Sequence, residues 1–301
     1  MRPVVSVVLG TFERLDFLKL TLDSVREELK GTPHEIIVVD GGSADGTAEW
    51  IASQKDVITI IQHNRGLWNG VEIRRRSWGY FMNLGFRASA GKYICMISDD
   101  CLLVPGAITN GIRRFEERLS EGVRLGALAF YWRNWPDQES YNVGLTLGKK
   151  VFVNHGMYLR SALEEVGFID EETFHFYHAD GDLSLKLWQR GYVCEESPQS
   201  FVEHYTHANM AVRATNFERQ KQDWNAYLNK WRGIFYDPSD TDTGSWISVE
   251  YADTSNTALR FRPLHHVRIV PQIKNSVKSV LNKAGLLEVV TRFVRSLRGT
   301  A

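Results

Sequence analysis

Two adjacent carboxylates at the end of an apolar run are the first feature of this chain with chemical consequence. Residues 93–97 read as a buried strand, and Ser98-Asp99-Asp100 follows directly. Neighbouring carboxylates repel unless water, hydrogen bonds or a cation neutralises them. Hard oxygen ligands suit Mg²⁺ or Mn²⁺, either of which can bridge a diphosphate. Asp40 closes another apolar run, at the head of Asp40-Gly41-Gly42-Ser43, a sequence that is also ordinary turn chemistry. Asp180 and Asp182 stand just before an apolar-periodic segment starting at Leu183. There a carboxylate serves equally as a proton acceptor or as a helix N-cap. His204 follows a short strand candidate with His207 close by, and imidazole is a common metal ligand. Arg74-Arg75-Arg76 has the chemistry to grip phosphate, although a charge run also serves as a solvated face.

These residues need a scaffold, and the first half of the chain supplies the pattern for one. Apolar runs at residues 4–9, 36–39, 57–61 and 93–97 alternate with helical spacing at Leu15, Leu18, Leu22, Val25 and Leu29, at residues 78–88, and at Ile108, Ile112, Phe115 and Leu119. Alternating strands and helices predict an α/β domain, and fully apolar strands predict a sheet covered on both faces. In such sheets ligands bind at the carboxyl ends of the strands. Thr11-Phe12-Glu13, Asp40 and Asp99-Asp100 all fall at such ends. The second half is more mixed, with strand candidates at 126–130, 151–153 and 201–202. Helices are expected near 161–166 and over 183–190, the latter ended by Gly191.

Composition narrows the classes. Lys+Arg and Asp+Glu are both 36, and that balance argues against a dedicated nucleic-acid binder. No run of 18 apolar residues exists to span a bilayer. Cys95, Cys101 and Cys194 form no CxxC pair, so neither a disulfide framework nor a thiolate zinc site is expected. A reducing cytoplasm is the expected location.

Five collinear segments resemble the family 2 inverting glycosyltransferases. They are Ser6-Val7-Val8-Leu9-Gly10-Thr11-Phe12-Glu13-Arg14; Glu35 to Thr47 around Asp40-Gly41-Gly42-Ser43; Asn83 to Ile94; Ser98-Asp99-Asp100 with Pro105-Gly106; and Gly167 to Lys186 around Ala179-Asp180-Gly181-Asp182. The resemblance covers residues 3–207. It implies the GT-A fold, an α/β architecture with a mixed, mostly parallel central sheet flanked by helices. A C-terminal helical extension is added here. The expected layout is a catalytic domain over 1–236 (nucleotide-binding half 1–106, acceptor half 107–236), a polar connector over 237–262 with a little strand around 246–251, and a basic amphipathic tail over 263–301.

The same resemblance implies a nucleotide-sugar donor, a hydroxyl acceptor on a glycan or lipid-linked glycan, inversion at the anomeric carbon, and Mn²⁺ or Mg²⁺ as cofactor. It assigns Thr11, Phe12 and Glu13 to the nucleobase pocket, with Asp40 reaching the base. Asp99 faces the ribose or a metal-bound water, Asp100 ligates the metal, and His204 or His207 joins it. Asp180 becomes the catalytic base, with Asp182 its support or substitute, and Arg76 a contact to the donor phosphates. His155, His178 and Trp132 are expected at the acceptor, where aromatic rings stack on sugar faces or simply pack around the loop. Three departures stand out: Ser98 replaces a carboxylate, Gly41 replaces Asp, and Ala179 sits where Glu is common.

Two other classes compete. A nucleotidyltransferase shares such a sheet and an acidic pair but carries a Gly-rich phosphate loop, and Gly10-Thr11-Phe12-Glu13-Arg14 has no second glycine. A degenerate sugar-binding module without turnover is suggested by Ser98 and Ala179 and opposed by Asp100 and Asp180. An oxidoreductase would need GxGxxG after the first strand, which is absent. In the tail, Ile273, Val277, Val280, Leu281, Ala284 and Leu287 run at helical spacing among Lys and Arg. Residues 264–301 therefore suit either the inner face of a membrane or packing on the domain.

Overall fold

Alternation of buried side chains explains why the first strand sits at the centre of the sheet. In β1 (Val5–Thr11), Val5, Val7 and Leu9 join one apolar cluster and Val8 joins the other. Helix α1 (Leu15–Glu28) covers the first face with Leu18, Leu22 and Val25. After β2 (His34–Asp40), α2 (Thr47–Ser53), β3 (Val57–Ile61) and a short hairpin of β4 (Leu67–Trp68) and β5 (Val71–Glu72), helix α3 (Trp78–Ala88) covers the second face with Met82 and Phe86. The half closes with β6 (Tyr93–Met96), β7 (Cys101–Leu103) and α4 (Ala107–Ser120). The structure, a computed structural model, describes residues 2–205, 208 and 215–265.

The second half runs β8 (Leu125–Asn134), β9 (Tyr141–Thr146), β10 (Lys150–Val151), β11 (Gly156–Leu159), α5 (Arg160–Val166), α6 (Ala179–Gln189), β12 (Val193–His204), α7 (Gln220–Trp231) and β13 (Ser245–Val249). Strands β3, β2, β1 and β6 lie side by side and parallel. Strand β11 then enters antiparallel between β6 and β8, and β12 runs parallel to β8 and antiparallel to β7. The result is the mixed sheet with helical layers that the sequence predicts. Because β1, β2 and β6 are parallel neighbours, their carboxyl ends open on one edge, which is where such sheets bind ligands.

Several elements differ from the reading of the sequence. The little strand expected within the connector is β13, and it pairs with β9 as an edge strand of the main sheet. The chain divides at Arg260, so the first unit extends beyond residue 236. Helix α6 starts at Ala179 rather than near Leu183. Strand β12 is twelve residues long because Glu195 to Ser197 pair with β8, residues 198–200 bulge out around Pro198, and pairing resumes at Phe201. Helix α7 buries only Asp223, Tyr227 and Trp231, too narrow a stripe to register as amphipathic. The expected tail helix and His207 lie outside the described residues.

The helix α3 and β1 backbones meet closely at Gly85. A Cβ there would fall 2.4 Å from Val8 Cγ1 and 3.3 Å from Val39 Cγ2. Gly85→Ala is expected to destabilise the fold by about 2 kcal/mol through overpacking, read as a lower urea midpoint at unchanged slope. Unaltered stability would mean that α3 is not pressed against β1.

Candidate active site

The carboxyl ends of β1, β2 and β6 line a cleft of about 1010 Å³ including its open mouth. Thr11, Phe12 and Gly41 come from the first two strand ends and Ser98 and Asp99 from the turn after β6. Arg65, Arg75 and Arg76 come from the segment between β3 and α3, and Asn154, His175 and Phe176 from the second half of the chain.

Asp99 and Asp100 are buried, at 3% and 2% exposure, so their charges need partners. One Arg14 nitrogen donates to both, at 2.8 Å to Asp99 Oδ1 and 2.9 Å to Asp100 Oδ2. Thr11 Oγ1 donates to Asp99 Oδ2 at 2.8 Å. Burial favours the neutral acid at both positions. At Asp100 it is outweighed by Arg14 and His204, which hold that carboxyl well below the usual range. At Asp99 burial and the charge of Asp100 win over Arg14, and the carboxyl is pushed up. Arg14 remains a firm cation, since the two acids outweigh its own burial.

The remaining nucleotide-side residues divide. Phe12 lines the cleft with the Arg65 guanidinium over its ring at 5.0 Å. Arg76 lines it too, stacked over Tyr80. Glu13 has a left-handed backbone (φ 52°), an exposed side chain, and a backbone N–H that donates to Ser43 Oγ. Asp40 does not reach into the cleft as expected. It is fully buried, and its carboxylate accepts from Gly42 N, Ser43 N and Ser43 Oγ at 2.8, 2.8 and 2.6 Å. The side chain folds back to close its own turn, so Gly41 forms the wall instead. Gly42 is required there, since φ is +85° and a Cβ would meet His63 Nδ1 at 2.4 Å.

The second acidic pair also separates by environment. Asp180 lies in the first turn of α6, within the helix and not capping it. Its Oδ2 accepts from Asn154 Nδ2 at 2.8 Å and its Oδ1 from Gly181 N at 2.9 Å. Since Asn154 lines the cleft, it ties Asp180 to that space. Asp182 faces the core, where Lys230 and Trp231 Nε1 donate to it at 2.9 and 3.0 Å. Burial raises its pKa against the pull of Lys230. Its contacts anchor α6 to α7.

His178 precedes α6 with φ 65°, stacked on Tyr227 with centroids 5.3 Å apart. Trp132 stands edge-on to His155, His204 and the exposed Trp246. His155 is buried, and burial followed by the neighbouring His204 pushes its pKa down to about 3. Trp132, His155 and His204 thus form one cluster, with His178 apart from it on the α6–α7 side.

Asp100 and His204 fit a divalent cation. His204 Nδ1 lies 2.8 Å from Asn134 Oδ1, and its Nε2 faces Asp100 Oδ1 at 3.4 Å. That oxygen is buried and has no hydrogen-bond donor among the described residues. A buried carboxylate oxygen that faces an imidazole nitrogen without a hydrogen bond calls for a cation or a proton between them. A further donor set adjoins: Cys101, His155 and His204 present ligand atoms within 4.8 Å of one another. Strand pairing places Cys101 opposite His204, a proximity that sequence spacing does not encode.

The sequence profile described as "Glycosyl transferase family 2" matches residues 6–168, more than half of the chain. This chain belongs to glycosyl transferase family 2. Solved structures agree on its GT-A fold. A mannosyltransferase from Pyrobaculum calidifontis, in complex with GDP-Man and Mn²⁺, superposes with a TM-score of 0.54 at 18% identity, over 76% of this chain and 65% of that one. Residues 1–349 of S. aureus TarS in complex with UDP-GlcNAc give 0.53 at 14% identity, over 76% and 67%. An uncharacterized Sinorhizobium fredii protein, y4gI, is 21% identical over 249 residues, 73% of this chain but only 26% of its own length. This chain thus spans about a quarter of that relative. Among its described residues no helix is long and apolar enough to cross a membrane.

Three positioning groups carry no clear signal in the sequence. Arg14 was visible only as part of the first motif, although it clamps both acids. Asn154 has no motif at all. Asp223 is buried and accepts from the backbone N–H groups of His175, Phe176 and Tyr177, each at 2.9 Å, so it shapes the loop that brings His175 and Phe176 to the cleft. Replacing Arg14 by Met strips two buried carboxylates of their shared counter-charge. The variant is expected to lose about 3 kcal/mol of stability in EDTA, measured by chemical denaturation. A loss below 0.5 kcal/mol would show that water neutralises the pair instead.

Proposed function

We propose that the cleft binds a nucleotide-diphosphate sugar and that the enzyme moves its sugar, with inversion, to a hydroxyl of a glycan or lipid-linked glycan. The observation that carries this reading is the convergence on one cleft of an anion-seeking wall and a tethered carboxylate. Arg65, Arg75 and Arg76 line that wall and make no salt bridge with a carboxylate of the described residues. Arg14 adds a buried Nε with no acceptor among those residues, a donor suited to a phosphate oxygen. The ligands named for the two structural neighbours, GDP-Man and UDP-GlcNAc, support a donor of this class.

In this reading Phe12 offers its ring to the base, as Thr11 and Asp99 frame the ribose side. Asp100 Oδ1 and His204 Nε2 would hold Mn²⁺ or Mg²⁺, which when bound offsets charge on the leaving diphosphate. Asp180 takes the proton of the acceptor hydroxyl as that oxygen attacks the anomeric carbon. Asn154 fixes its carboxylate, leaving lone pairs on both oxygens for the proton. Trp132 and His178 are assigned to the acceptor side, with His155 supporting Trp132 from the core.

Two variants test the assignment. Asp180→Asn keeps size and the link to Asn154 but cannot accept a proton at neutral pH. Donor binding should persist in calorimetry while transfer falls about 10²–10⁴-fold; near-native turnover would move the base elsewhere. Asp100→Ala should remove the Mn²⁺-dependent part of nucleoside diphosphate affinity, compared with and without EDTA. Unchanged metal dependence would take Asp100 out of the cation site.

A further inference from the structure

The hairpin of β4 and β5 has no place in the catalytic reading, and its chemistry is unusual for a surface loop. It pairs only with itself, Leu67 opposite Glu72 and Trp68 opposite Val71, apart from the main sheet. Asn69 and Gly70, with φ of 49° and 78°, make the tight turn that Asn-Gly favours. Leu67, Trp68 and Val71 are 71%, 72% and 70% exposed. An isolated two-stranded hairpin is marginal in water and gains nothing by presenting its largest apolar groups to it.

Charge surrounds this tip. Residues 62–77 carry four arginines, Arg65, Arg74, Arg75 and Arg76, against the single acid Glu72. None of the four makes a salt bridge with a carboxylate of the described residues. Arg65 and Arg75 are held at the hairpin's base by Thr215 Oγ1, and Arg75 also by Asn216. The next residue, Phe217, is 46% exposed. An apolar tip carrying Trp, rimmed by uncompensated guanidinium groups, is the arrangement that settles at a bilayer interface. The tip enters the headgroup boundary and the cations meet anionic phosphate.

We propose that the Leu67–Glu72 hairpin docks this glycosyltransferase on an anionic lipid surface. Since Arg65, Arg75 and Arg76 also line the cleft, docking sets the cleft mouth against that surface. This goes beyond the donor and acceptor assignments and does not depend on turnover. The test uses the full chain and vesicles of phosphatidylcholine with or without phosphatidylglycerol. Sedimentation should show binding only with the anionic lipid, weakening as salt shortens screening below about 8 Å. Leu67→Ser with Trp68→Ser should cut that binding about tenfold while leaving the far-ultraviolet spectrum and melting curve unchanged. A fluorophore on Asn69→Cys should shift blue on binding and be quenched by nitroxide lipids labelled near the headgroup. Equal binding by the double variant would overturn the proposal and move attachment to another segment, residues 264–301 included. Failure of the native chain to sediment would also overturn it, as would a concentration-dependent dimer that the double variant abolishes.

Discussion

The site is organised by one electrostatic constraint, two buried carboxylates on consecutive residues. Asp99 and Asp100 cannot both ionise in a dry turn unless something positive stands beside them. Arg14 supplies it, reached from the loop after β1, and Thr11 and Thr21 complete the arrangement by donating to Asp99 Oδ2 and the Asp99 carbonyl. Every one of these partners lies at or beyond the carboxyl end of β1. The parallel register of β1 with β6 is therefore more than a packing solution, since a one-residue slip would withdraw the counter-charge from both acids.

The opposite wall is held by buried polar groups that act on backbone. Asn83 on α3 exchanges hydrogen bonds with Ile169 N and O. Asp223 on α7 gathers three successive N–H groups, and Asp182 on α6 takes Lys230 and Trp231. These contacts fix the loop between α5 and α6 from two sides. Asp180 and His175 are thereby set by the scaffold. Satisfied polar groups in a low-dielectric interior hold one geometry at high cost to alternatives, which suits a loop that must place reacting groups.

Much of this was legible in the sequence where a local rule governs it. Apolar runs gave β1, β2, β3 and β6, helical spacing gave α1, α3 and α4, and the strand ends marked Thr11, Phe12 and Asp99-Asp100 as neighbours. What was not legible depends on pairing between distant segments. Cys101 meets His204 only because β7 lies antiparallel to β12. Helix α7 is anchored by a carboxylate and two aromatic residues, so its buried face carries little hydrophobic signal. Asp40 illustrates the converse. Its position was read correctly, but whether a turn aspartate points outward or closes its own loop is decided by the Ser43 hydroxyl and the φ of Gly42, and neither shows in a motif.

The chain is neutral as a whole, with 36 basic and 36 acidic residues, yet its charges are segregated around the cleft. Carboxylates Asp99 and Asp100 are sunk at one end, already bound to Arg14. Arg65, Arg75 and Arg76 line the other side without a salt bridge to a carboxylate among the described residues. An anion entering this space meets cations whose charge is uncompensated, while the acids at its floor are shielded by Arg14. Field lines confined by the apolar walls of Phe12, Trp78, Met82 and Met96 strengthen that bias. The same arginines flank the exposed Leu67–Glu72 hairpin, so one charge cluster faces both the cleft and the surface beside its mouth. On the two proposals made above, a single segment, inserted between β3 and α3, would link phosphate attraction in the cleft to docking beside its mouth.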